Sequence, residues 1–263
     1  MKKVSCKLMQ MGLPLLLLLA IFGCARPLPP PELPLPSRSE SQLREQLEAV
    51  TSRYQSLQSS ARIEVVSESE SFSASQVLFV QRPAQLRSEI LIGPFATPVM
   101  SLSADQDQLS VYQPLKGTFA QGSASVANIA RFTRLPLRIE DLVGMILVAP
   151  PRFPYEKSSA SRVAAGDRLD LVTAGGVEQR FTFDAAGNLL QAAYLLGERL
   201  QLQADYSGFD ARAENFPQKL QVSMPERQVV ATMTFSDSVI NVPIPLKSFI
   251  LKIPAGIKTQ DLP

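Results

Sequence analysis

Apolar residues recur along this chain with two periods, and the switches between them mark its elements. From Ser39 onward, Leu43, Leu47, Val50, Tyr54 and Leu57 fall at alternating spacings of four and three, one face of a helix. Ser39 or Ser41 is placed to cap its start. The opposite face is charged, so the apolar stripe must rest on something. A two-residue period then takes over. "ARIEVVS" (61–67), "FSASQVLFVQ" (72–81) and "QLRSEILI" (85–92) read as a meander of strands with a break at Arg82-Pro83. "VMSLSA" and "QLSVYQ" flank a turn at 105–107, and "GTFAQ" adds a short strand.

Helical spacing returns twice. "SASVANIARF" (123–132) puts Val126, Ile129 and Ala130 on one side. Ile139, Leu142, Val143, Ile146 and Leu147 then match i, i+3, i+4, i+7 and i+8, until Pro150-Pro151 stops the pattern. Beyond Glu156 strands resume. Leu200, Leu202, Ala204 and Tyr206 alternate with Arg199, Gln201, Gln203 and Asp205, and Val229, Ala231, Met233 and Phe235 repeat the pattern. Such alternation gives each strand one buried and one wet face, as in an antiparallel sheet. About ten or eleven strands are too many for a flat sheet. The expectation is a mainly β (α+β) fold, a sheet curled into a barrel with the helices over its concave side.

The first residues follow other rules. Lys2, Lys3 and Lys7 precede the apolar run "MGLPLLLLLAIFG" (11–23), too short for a span of roughly 20 residues and built like a secretory signal. It ends in "IFGC", which resembles the bacterial lipobox. That resemblance implies cleavage before Cys24 and acylation of its sulfur and of the new N-terminus, so covalent acyl groups stand where a cofactor would. Each buried CH₂ of such chains adds about 0.8 kcal/mol of membrane affinity. Residues 25–36, "ARPLPPPELPLP", are proline-rich and favour extended polyproline II, a semi-rigid tether of about 3.1 Å per residue. The expected layout is a signal at 1–23, an acylated cysteine and tether at 24–37, and a folded domain at 38–263. Ala25 is not the aspartate that retains enteric lipoproteins in the inner membrane. By that rule the chain sits on the periplasmic face of the outer membrane, lipid-anchored.

Charge and chemistry narrow the picture further. The formal charge of +2 becomes −1 without the three lysines of the signal, which leaves no basic excess to attract nucleic acid. Removal of the signal also takes Cys6, and acylation blocks Cys24, so thiol and disulfide chemistry are excluded. The chain has no histidine, the usual general base and the commonest metal ligand. "AGGVE" (174–178) lacks the lysine and helix start of a phosphate loop. No enzyme and no metal site is expected. A curled sheet with an apolar concave face, tethered by acyl chains, is suited to holding something greasy. The candidate lining of such a cavity and lid is Val126, Ile129, Leu142, Val143, Ile146, Leu202, Met233 and Phe235.

One loop does not fit the usual pattern. "GPFATPV" (93–99) carries no charge, two prolines and an aromatic ring, where loops are normally polar. It opens a stretch (91–151) that resembles the central part of the LolB family of outer-membrane lipoprotein receptors. The matching pieces are "GPFATP", "VMSLSADQDQLSVYQ", "GTFAQ", "SASVANIARF", "LPLRIEDLVGMIL" and "VAPP". "FILKIPAGIKTQDLP" at the close resembles the ends of periplasmic lipoprotein carriers of the same fold. The resemblance implies an unclosed antiparallel β-barrel with a helical lid and an apolar cavity. It also implies receipt of lipidated proteins from a periplasmic LolA-like carrier and their insertion into outer-membrane lipid. Phe95 stands where the family carries its protruding apolar residue, with Pro94 and Pro98 bracing the loop. The chain departs from the family in lacking the tryptophan of the second helix and in its long tether. The competing expectation is a structural or assembly lipoprotein that contacts an outer-membrane machine without carrying lipid.

Overall fold

Ser39 opens the first helix with a capping box. Its hydroxyl accepts from the Gln42 amide, and the Gln42 side chain accepts from the Ser39 amide, so two otherwise unpaired donors are satisfied. Helix α1 (Glu40–Arg53) buries Leu43, Leu47 and Val50. It ends sooner than the apolar spacing predicts. Tyr54 is already extended, and Leu57 lies in a strand paired on both sides. Both side chains remain buried, so the spacing marks the core correctly while two-sided sheet pairing overrides helical continuation. The computed structural model describes residues 36–68 and 70–263. The signal at 1–23, Cys24 and all but the last two residues of the 24–37 tether lie outside the described residues.

The strands follow in chain order: β1 (Ser56–Val66), β2 (Ser71–Gln81), β3 (Gln85–Ile92), β4 (Thr97–Asp105), β5 (Gln108–Gln113) and β6 (Thr118–Ser123). Two helices intervene, α2 (Val126–Thr133) and α3 (Ile139–Ile146). Then come β7 (Lys157–Val163), β8 (Gly166–Val172), β9 (Val177–Phe183), β10 (Leu189–Leu196), β11 (Arg199–Asp210), β12 (Phe216–Met224), β13 (Val229–Ile240) and β14 (Lys258–Asp261). All belong to one 14-stranded sheet ordered β14-β6-β5-β4-β3-β2-β1-β13-β12-β11-β10-β9-β8-β7. Every pairing is antiparallel except β14 with β6. The edges β14 and β7 do not pair with each other, so the barrel is unclosed, as expected. The strand number exceeds ten or eleven in part because both edges lack apolar alternation: "KSSASRV" and "KTQD". Polar, lysine-bearing edges discourage pairing with another chain.

A single core shows how far the sheet curls. Leu109 and Val111 of β5 share one cluster with Leu169 and Leu171 of β8, from opposite arms of the sheet, and with Ile129, Leu142 and Val143 of the helices between. The meander sets two ends. The turns at 82–84, 106–107, 184–188 and 211–215 lie at one end; those at 93–96, 114–117 and 197–198 lie at the other, together with Glu70 just before β2. Helix α1 packs on β7 and β8 and closes the first end. The Gln46 side chain donates to Gly187 O (2.7 Å), the Tyr54 hydroxyl to Asn215 O (2.8 Å), and Arg82 donates back to Tyr54 O and Thr51 O.

The segment before α1 is clipped to β8. The Asp167 carboxylate accepts from the Ser37 amide (3.0 Å), the Ser37 hydroxyl (2.6 Å) and Arg162 (2.7 Å). Burial alone would raise this carboxyl, but the hydrogen bonds from Ser37 and Arg162 outweigh it and hold the pKa down to about 2. A carboxylate depressed in the folded state stabilises above its unfolded value near 4, and that contribution is lost as pH falls toward 2. Asp167→Asn is therefore expected to unfold at lower urea concentration than the wild type at pH 7, with the gap closing between about pH 4 and pH 2. A gap independent of pH would count against the clip.

The second lid helix stops at Ile146, four residues before the prolines that were expected to end it. Ala149 N donates to Gly144 O at 2.7 Å, and Val148 takes a left-handed conformation (φ 55°). The chain can fold back this tightly because residue 144 has no side chain: a Cβ there would lie 2.5 Å from Ala149 O.

Candidate functional site

Between the sheet and the lid lies a cavity of about 60 Å³, lined by β1 through β4, by β13 and by the lid. Ile63, Leu78, Leu86 and Leu102 supply part of its sheet wall, and Leu142 and Ile146 of α3 its lid wall. Registry brings the sheet residues together: Ile63 pairs with Met233, and Ile90 with Met100. One polar pair interrupts this wall. The Ser88 hydroxyl donates to Gln76 Oε1 at 2.9 Å, and both residues line the cavity.

The lid is held unevenly. The Tyr206 hydroxyl donates to Met145 O at 3.0 Å, and the Tyr194 hydroxyl donates to Pro151 O. Burial pushes both tyrosine pKa values up, so these hydroxyls remain donors at any physiological pH. Gln179 adds a reciprocal pair with the Phe153 backbone, at 2.7 and 3.0 Å. The C-terminal side of α3 is thus fastened to β9, β10 and β11. At the far end of α2, by contrast, Arg134 meets Glu70 of the β1–β2 turn in a half-exposed ion pair, an interaction worth about 0–1 kcal/mol.

Glu70, Phe72, Ile90 and Met100 all lie toward the end of the sheet that α1 does not cover. The same end carries the β3–β4 turn. There Ala96 N closes back on Gly93 O (3.3 Å), with positive φ at both residues, and Phe95 projects 91% exposed. Pro94 and Pro98 flank it. Pro98 pairs only with Leu91 of β3, because β5 joins β4 from Ser101 onward. Pro98 thus lies where β4 is paired on one side only, the kind of edge position at which a sheet tolerates proline, and the hairpin tip projects past β5. Leu115, on the β5–β6 turn at the same end, is 71% exposed, and Ile92 is exposed beside the tip.

The residues proposed from sequence divide accordingly. Leu142, Ile146 and Met233 line the cavity. Ile129 and Val143 are buried in the core beside it. Phe235 is buried on β13 but faces Phe216, with ring centroids 5.4 Å apart, and lines a separate hollow that includes Asp210 and Arg212. Leu202 is half-buried against the core and does not line the cavity. Val126 is 41% exposed: it is the first residue of α2, where the chain has just left β6. Residues on β2, β3 and β4 went unidentified, Gln76 and Ser88 among them. Their signal is present in the sequence, since Gln76 occupies an apolar register between Ala74 and Leu78. An open hollow of about 650 Å³ on β8–β11 is larger, but its Arg168 and Arg180 are engaged by Asp170 and Glu178 at 2.9 and 2.6 Å.

No family model matches the sequence, and no curated protein matches it. Solved structures do. A LolA superfamily protein from Nitrosomonas europaea superposes with a TM-score of 0.52 at 14% identity, covering 82% of this chain and 99% of its own. An outer membrane lipoprotein-sorting protein domain from Vibrio parahaemolyticus gives 0.53 at 12% identity, covering 80% and 95%. A DUF1329 family protein from Desulfovibrio piger gives 0.53 at 15% identity, again covering 80% and 95%. With its unclosed sheet, its single curled core and its helices across the hollow side, the chain has a divergent form of the LolA/LolB-like fold.

Proposed function

We propose that this protein is an acyl-chain-binding lipoprotein of the cell envelope. Anchored through Cys24 on the periplasmic face of the outer membrane, it takes the acyl chains of lipidated proteins, or of other lipids, from a periplasmic carrier of the same fold. It shelters them between sheet and lid and releases them into the bilayer at the Phe95 end. The reading contains no catalytic step and no bound cofactor.

One observation carries it: the apolar cavity lies toward the same end of the sheet that projects Phe95, with Ile92 and Leu115 beside it. Grouped exposed apolar side chains mark contact with a membrane or a partner. The cavity of about 60 Å³ is small beside the 300–1,000 Å³ or so of ordinary ligand pockets, so the described arrangement is the closed one. Loading requires the lid to swing. Its loose side is α2, where the exposed Arg134–Glu70 pair is the rim contact, while α3 keeps its tyrosine ties. The solved structures of the same fold support this reading as analogy.

Residues 36–263 contain every core residue described and the Ser37 clip, and are the natural fragment to purify. They are expected to take up an environment-sensitive apolar dye and to release it to a triacylated peptide but not to the same peptide without acyl chains. A correctly folded fragment that takes up no dye and binds no triacylated peptide would overturn the proposal.

A further inference from the structure

We propose that Gln76 reads the carbonyl of the bound chain, so that the cavity selects acyl esters or amides over plain hydrocarbon. This rests on the acyl-binding reading above and specifies its ligand.

Gln76 is 3% exposed, on a strand whose neighbours Ala74, Leu78 and Val80 are apolar and buried on the same face. Its amide is oriented by Ser88, whose hydroxyl donates to Oε1. Among the described residues Nε2 has no hydrogen-bond partner. A buried amide nitrogen without an acceptor is costly, and such groups in native proteins are few. The surroundings offer no internal remedy. The remaining lining is apolar apart from Thr133. The Thr133 hydroxyl already donates to Ile129 O at 2.8 Å and accepts from the Leu135 amide at 3.1 Å. A trapped water typically makes about two to four hydrogen bonds, and here it would find Nε2 and a lone pair of Ser88, the low end of that range.

What the site lacks is one neutral acceptor embedded in apolar material. The carbonyl oxygen that joins an acyl chain to its glyceryl ester or terminal amide has that chemistry. An alkyl chain would leave Nε2 unpaired, and a carboxylate would bring an uncompensated charge into the cavity. The proposed contact is therefore Nε2–H donating to an acyl carbonyl, with Ser88 holding the amide in the donating orientation.

The test uses the full chain in lipid nanodiscs, with methyl palmitate and octadecane, a hydrocarbon of the same chain length that carries no acceptor, competing against an apolar dye. Partition of each competitor into the disc is the same for every variant, so variants are compared by their ester-to-hydrocarbon ratio. The wild type is expected to prefer the ester by about three- to ten-fold, the scale of one neutral hydrogen bond. Gln76→Met keeps the shape of the side chain and is expected to bring the ratio to that of the empty-disc control while hydrocarbon binding holds. A wild-type ratio equal to the disc control, with both compounds binding, overturns the role of Gln76 and leaves the acyl-binding reading standing. Failure of both to bind overturns the two together. The wild-type comparison needs no variant, so it decides the matter even if Gln76→Met folds poorly.

Discussion

Phe95→Glu is expected to leave the fold and dye binding intact and to slow delivery of acylated cargo into vesicles by at least about ten-fold. The side chain is 91% exposed on a turn that closes through Gly93 and Ala96, so its loss removes no internal contact. Surface changes of this kind shift stability by about 0.5 kcal/mol or less. At a bilayer the balance differs. Burying a phenylalanine ring gains about 1.5–3 kcal/mol, and glutamate forfeits that and adds a charge to be desolvated. Each 1.4 kcal/mol or so is a factor of ten. The measurement is the rate at which a triacylated peptide preloaded on the protein reaches acceptor vesicles. Phe95→Leu, which keeps an apolar tip, is expected to transfer at close to the wild-type rate. Unchanged transfer by the glutamate variant would show that the loop is not the point of release.

The largest effect on stability is expected at Gly166, where β7 turns into β8. Residue 166 has φ +151°, and a Cβ there would lie 1.9 Å from Phe183 O and 3.0 Å from Phe183 C. Relief requires β8 to draw away from β9 at its first pairing, Asp167 with Phe183. That pairing adjoins the Asp167 clip and the buried Leu169, Phe181 and Phe183. Gly166→Ala is expected to cost on the order of 4 kcal/mol, at the upper end of single substitutions and a large part of the roughly 5–15 kcal/mol of a whole domain. Gly176 is the control. Its φ is +77°, but a Cβ there would meet nothing within 4 Å, so Gly176→Ala is expected to cost only the left-handed penalty of about 1–2 kcal/mol. Urea denaturation of the two variants separates the contributions. Equal midpoints would mean that backbone conformation alone matters and that the close approach to Phe183 does not.

Periodicity was a dependable guide wherever one element used one face. The stripe from Leu43 to Val50, the stripe from Ile139 to Ile146 and the alternation on β13 each predicted burial that is found; on β11 the same alternation holds for Ala204 and Tyr206, which are buried, while Leu200 and Leu202 are only half-buried. It misled where two periods coincide. Tyr54 and Leu57 continue a helical spacing, yet both are equally consistent with a chain that has changed course and still faces the core. The edges went unread for the opposite reason: β7 and β14 have little apolar material because an edge must stay polar. Within the lid, Ile129 and Val126 were indistinguishable by spacing. Ile129 is packed away and Val126 is exposed, because only the docked position of α2 says which side of its first turn meets the sheet.

What the sequence determined by itself is the local programme: the lengths of strands and helices to within a few residues, the cap at Ser39, and a proline-braced apolar loop at Phe95. These depend on near neighbours in the chain, and short-range sterics and hydrogen bonding are enough to specify them. Which of the apolar candidates meet at the cavity, and with which polar pair, depended on tertiary structure. Gln76 and Ser88 lie 12 residues apart, and Leu142 and Met233 are farther still along the chain, yet all line one space. Curling of the sheet decides which residues converge there, and closure of the lid decides which polar atom is left without a partner.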